Sequence, residues 1–174
     1  MTRPEQWREQ QTKGLAMESA EAKGRLDRAL AAFAAADGYL LENNLGERCI
    51  AGRLAMHVQH AFADEGLVVD VEYNRLGAAV KRLETLPAEC IRRKIRPGDP
   101  AVVPDIIVHQ RGEAGQNVLV IELKKTDNPE GQGCDGERLR AFREELGYEF
   151  GALVECETRF LYDKAIRVVD WLHD

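Results

Sequence analysis

The chain has 174 residues, 44% of them hydrophobic, 31% charged and 6% aromatic, which suits one globular domain with an aliphatic core. Its net charge of −6 argues against a general nucleic-acid coat, and no apolar run is long enough to cross a bilayer. Cys49, Cys90, Cys134 and Cys156 form no CxxC pair and no zinc-ligand spacing, and the first residues lack the apolar core of a signal peptide, so the expectation is a reduced cytoplasmic chain.

Residues 1–16 are polar and aperiodic and read as a loose arm. From Met17 to about Ala36, Ala, Glu, Leu and Arg dominate, with Leu26, Leu30 and Phe33 at helical spacing. This predicts an accessory helix ended by Asp37-Gly38, packed on the core or on a second subunit. A second helix is expected from about Asn44 to Asp64, where Ile50, Leu54, Val58, Ala61 and Phe62 define one apolar face. Glu47 falls near the middle of that face, in line with Ala51, Leu54 and Val58. A first-turn glutamate is favoured by the helix dipole, but an inward direction is unusual for an acid.

Leu67 to Tyr73 alternates as a strand should, with Leu67, Val69 and Val71 on one side. Residues 76–101 read as a long irregular excursion around a short helix-like piece, Ala78–Leu86. The segment 75–96 carries seven basic side chains against two acidic ones, so it is +5 and the remainder −11. Arg75, Lys81, Arg82, Arg92, Arg93 and Lys94 are therefore candidate phosphate contacts, although a charge run is commonly just a solvated face.

Two apolar β-type runs follow, Val102–Val108 and Val118–Lys124, joined by a polar, Gly-bearing connection. Beyond a loop near Lys125–Gly133, Asp135 is the expected N-cap of a helix to about Leu146, with Leu139, Phe142 and Leu146 inward and Gly147 closing it. Phe150–Cys156 then reads as a buried strand, and strand-helix-strand order favours parallel pairing with the 118–124 strand. The tail offers two short β-like runs, Arg159–Tyr162 and Ile166–Trp171. With no internal repeat and no domain boundary, 1–174 is one domain with its core over 44–172.

The chemistry lies in the two apolar runs. Pro104-Asp105 opens the first, and Glu122-Leu123-Lys124 ends the second. Side chains alternate along a strand, so Glu122 and Lys124 share a face. Whether Asp105 joins them depends on register, since a one-residue slip reverses its side. Charged side chains rarely sit in buried strands unless paired or bound to metal. Two carboxylates and an ammonium converging on a sheet would make a divalent-metal site for phosphodiester chemistry. The bland alternative is a turn-forming Asp105 and an exposed Glu122–Lys124 ion pair.

The spacing resembles the PD-(D/E)xK nuclease superfamily, with the likeness running over roughly positions 47 to 155. More narrowly, Val71–Arg75 followed by Pro104–His109 looks like small stand-alone bacterial members of that group. The resemblance implies an α/β restriction-endonuclease-like core, α-β-β-β-α-β, with a central mixed sheet flanked by helices and, here, an extra N-terminal helix. It implies that Asp105 and Glu122 bind the metal, the Leu123 carbonyl completes the coordination, and Lys124 assists the attacking water or stabilises developing charge. It also makes Glu47 the candidate for the carboxylate that the first core helix supplies beside the metal. Oxygen ligands point to Mg²⁺, with Mn²⁺ as a substitute. The expected function is a Mg²⁺-dependent nuclease acting on DNA, with Lys125 free to meet a phosphate and a homodimer or accessory partner compatible with the chain. The alternative is a non-catalytic member of the fold that binds a protein or nucleic acid. Other candidates are weaker: His57 and His60 lie off the apolar arc, His109 shares the face of Asp105 at its strand's far end, and no GxxxxGK[ST] or GxGxxG is present.

Overall fold

In the computed structural model the described residues are 17–64, 66–73, 75–76, 79–80, 83–90, 103–112, 115–126, 133–158 and 165–174. They form an α/β protein around a five-stranded mixed sheet. The elements are α1 (Ser19–Asp37), α2 (Tyr39–Glu42), α3 (Glu47–Ala61), β1 (Val68–Val71), β2 (Arg75–Leu76), β3 (Ala79–Val80), a 3-10 turn (Ala88–Cys90), β4 (Ile106–His109), β5 (Asn117–Lys125), α4 (Cys134–Leu146), β6 (Phe150–Cys156) and β7 (Ile166–Leu172). The order across the sheet is β1-β4-β5-β6-β7. Only β5 and β6 are parallel, as the α4 crossover between them requires; the other pairs are antiparallel.

Strand alternation sorts the core into two layers. Ile106, Val108, Leu119, Ile121 and Leu123 face α1 and α3, where Leu26, Phe33, Ile50, Leu54 and Phe62 are buried. Ile107 and Val120 face α4, where Leu139, Phe142 and Leu146 are buried with Tyr148. Both faces of β5 are therefore covered, which is why its apolar run is nearly continuous. The first helix packs on the core of its own chain: α1 lies along α3, and Trp171 of β7 donates to the Ser19 hydroxyl at 3.0 Å. Trp171 in turn stacks on Phe150, with ring centroids 5.5 Å apart. His57, off the apolar arc, meets Asp37 at 2.7 Å.

Three local expectations change. Among the described residues of Ala78–Leu86 none is helical: β3 pairs with β2, Leu76 opposite Ala79, and Leu83 and Leu86 bury against the α4 layer. Gly133, not Asp135, is the N-cap of α4, and Asp135 lies inside the first turn, where an acidic side chain suits the helix dipole. At the other end Gly147 adopts φ 71° and donates to Arg143 O, a left-handed stop that costs glycine least. Finally, Cys90 and Cys134 are joined in a disulfide, so the reduced-chain expectation fails for this pair. Their separation of 44 residues is invisible to any local spacing rule. The loose arm, the Arg159–Tyr162 run, the loop 127–132 and residues 91–102 lie outside the described residues. Among the described residues no helix is long and apolar enough to cross a membrane.

Candidate functional site

The β4–β5 register answers the question of face. Ile106 pairs with Ile121 and Ile107 with Val120, so continuing by one pair sets Asp105 opposite Glu122. The chain bends at Asp105, and its carboxylate turns into the plane of the sheet, where Oδ2 accepts the Leu123 N–H at 2.8 Å. Asp105 is 7% exposed and Glu122 is fully buried. A carboxylate in so dry a place costs several kcal/mol unless a positive partner balances it. For Glu122 that partner is Arg138, one of the largest fully buried side chains, whose Nη2 lies 2.8 Å from both Oε1 and Oε2. Lys124, two residues on and part-buried, directs Nζ at Asp135 Oδ2, 3.6 Å away. Glu122, Lys124, Asp135 and Arg138 thus occupy the α4 side of the sheet at the end where Asp105 begins β4.

The other side of that end holds a second group. Lys125 is paired with Cys156, whose side chain belongs to the α3 layer, and Lys125 Nζ donates to Leu45 O at 3.3 Å. Glu47 opens α3 after its Gly46 N-cap and is part-buried. Burial first, then the charge of Glu47, pushes the Cys156 thiol up to about 12; Lys125 opposes this, while Glu155 and Asp105 add to it. Glu47, Lys125 and Asp105 therefore all lie within electrostatic reach of one buried sulfur. Glu47 stands across the sheet from the Glu122 carboxylate, and Asp105, lying in the sheet plane, is the residue between the two groups.

Asp135, expected only as a helix cap, and Arg138 were not read from sequence as site residues, although a signal existed. At about 100° per residue both fall on the helix arc of Leu139, Phe142 and Leu146, so two charges were facing inward. Of the expected phosphate contacts, Arg75 is exposed on β2, and Lys81, Arg82, Arg92, Arg93 and Lys94 lie outside the described residues. His109 sits at the far end of β4 from Asp105, 3% exposed, its Nε2 2.8 Å from Asp70 and its ring 4.8 Å from that of Tyr73. Arg111 closes on the same Asp70 carboxylate through Nε at 2.9 Å. Hydrogen bonding from Arg111, supplemented by His109, holds that carboxyl below its usual range. This cluster ties β1 to β4 away from the Glu122 end.

The donors at the Glu122 end are carboxylate and carbonyl oxygens, which in kind fit a hard divalent ion. Among the described residues no group of three or more His, Cys, Asp and Glu side chains is set to hold a metal, and the cation beside Glu122 is the guanidinium of Arg138. No protein-family model matches the chain, and no curated protein or solved structure does.

Proposed function

We propose that this chain is a divalent-metal-dependent nuclease of the PD-(D/E)xK kind, with a restriction-endonuclease-like core, acting on phosphodiester bonds in DNA. The observation that carries the reading is the register of β4 on β5, in which Asp105 comes opposite Glu122 and binds the amide of Leu123. Two acids far apart in sequence meet at one sheet end, with an ammonium one strand period beyond. Asp105, Glu122 and the Leu123 carbonyl would hold Mg²⁺ or Mn²⁺, with Glu47 placed to assist from the α3 side. Such an ion supplies a Lewis acid and an acidified water when bound. Lys124 is the protein's own contribution to the charge that builds on phosphorus, and its pairing with Asp135 holds its head in position until a phosphate arrives.

A second reading is favoured by one feature. The Glu122–Arg138 pair is already balanced in charge and fully enclosed, as it would be in a nuclease-fold module that binds a partner without cutting. Incubating the protein with supercoiled plasmid, single-stranded DNA and branched DNA, in Mg²⁺ or in EDTA, separates the two. The nuclease reading expects Mg²⁺-dependent nicking of at least one substrate by wild type and its loss in Lys124→Met. No cleavage of any of them by wild type in Mg²⁺ or Mn²⁺ refutes it in favour of the binding module.

A further inference from the structure

We propose that Arg138 is a stand-in cation that occupies the metal position at Glu122 and is displaced when a divalent ion enters. The inference rests on the nuclease reading, because it takes Glu122 as a metal ligand. It begins from an imperfection in the pair. The strongest arginine–carboxylate geometry is a parallel fork in which two N–H groups each meet one oxygen. Here one nitrogen, Nη2, straddles both oxygens at 2.8 Å and is also shared with Val103 O at 3.4 Å. Arg138 Nε is buried and meets no hydrogen-bond partner among the described residues.

A buried ion pair is favourable only when its geometry is good and its remaining protons are satisfied. Arg138 therefore balances the charge of Glu122 while leaving part of its own desolvation uncompensated. The exchange requires the buried guanidinium to move aside on its three-methylene stem while α4 stays in place. Exchange for an ion that takes several oxygens at once would leave Glu122 compensated in both states. The arginine thus lets a dry carboxylate fold before metal is present, and its competition weakens the metal's binding.

The test uses Arg138→Met, which keeps the volume and removes the charge. In EDTA its melting temperature should fall by about 10 °C, because breaking a buried pair strands the remaining carboxylate. Millimolar Mn²⁺ should restore at least half of that fall and shift the variant more than it shifts wild type. Calorimetry should find Mn²⁺ bound about tenfold more tightly by the variant, a coupling of ordinary size between a side chain and a bound ion. The double variant Glu122→Gln/Arg138→Met should fold without Mn²⁺ and lose the extra response. An equal Mn²⁺ shift and affinity in wild type and Arg138→Met overturns the proposal, as does an undiminished response in the double variant. Should Arg138→Met not fold, Arg138→Lys, which keeps a positive charge but loses the reach, is expected to bind Mn²⁺ more tightly than wild type, and equal binding overturns the proposal. None of these readouts is cleavage. A chain that exchanges Arg138 for Mn²⁺ yet cuts no DNA keeps this inference and loses the nuclease reading.

Discussion

Asp105 Oδ2 accepts the buried Leu123 amide at 2.8 Å. Under the proposed function its charge also binds a metal ion, and substitution can separate the two. Asp105→Ala removes both and leaves a buried N–H without its acceptor, a loss of about 2–3 kcal/mol for a charge-assisted bond. In a domain of this size that is a fall in Tm of roughly 5–10 °C. Asp105→Asn retains an oxygen for the Leu123 amide and forfeits only the charge, so its cost should be about 1 kcal/mol, or roughly 2–4 °C. For cleavage the two variants should be alike. A metal's Lewis-acid contribution is several kcal/mol, so each should lose roughly 100-fold or more in rate on plasmid DNA. Thermal denaturation followed by circular dichroism, beside plasmid nicking in Mg²⁺, reads both effects. The reasoning is refuted on the structural side if Asp105→Ala melts with wild type. On the chemical side it is refuted if Asp105→Asn cuts at the wild-type rate.

The remaining expectations are independent of that pair. Glu47→Gln should reduce both Mg²⁺-dependent cleavage and the Mg²⁺-induced rise in melting temperature; if both are unchanged while Asp105→Asn abolishes them, Glu47 is only a helix-start residue. Reducing the Cys90–Cys134 bridge, which spans 44 residues, should cost about 4 kcal/mol on the chain-entropy model, seen as a lower urea midpoint in dithiothreitol that Cys90→Ser reproduces. A midpoint indifferent to dithiothreitol would show that the bridge does not hold Leu83–Cys90 on α4. Asp70, whose carboxyl Arg111 and His109 hold below its ordinary value, stabilises the fold above about pH 4, and that contribution is lost as pH falls through the depressed native value. The stability gap between wild type and Asp70→Asn should therefore be full at neutral pH and close in acid; a gap constant from pH 7 to pH 3 contradicts this.

Much of the architecture was legible because it rests on periodicity. Leu26, Leu30 and Phe33 at helical spacing, and Ile50, Leu54 and Val58 after them, announced two helices and their buried faces. The unbroken apolar run of β5 announced a strand covered on both sides, and Gly147 marked the end of α4. The residues of the candidate site were nameable for the same reason: a charge inside an apolar strand conflicts with its surroundings, and Asp105, Glu122 and Lys124 each carry that conflict. Their pairings were not legible. Helix periodicity shows that Arg138 and Asp135 face inward, but Glu122 is claimed by Arg138 across a strand-helix connection that sequence cannot measure. The disulfide and the β2–β3 hairpin are of the same kind, since each depends on where distant or very short segments come to lie. For the longer segments, helix or strand and the apolar side of each followed from the chain alone, because repeats of 3.6 and 2 residues are local. Packing of distant segments is what brings Asp105 to the Leu123 amide, sets Glu47 and Glu122 on opposite sides of the sheet, and puts Arg138 beside Glu122. Those outcomes turn on register and burial, where a shift of one residue reverses a face and a few ångströms decide whether a charge finds a partner.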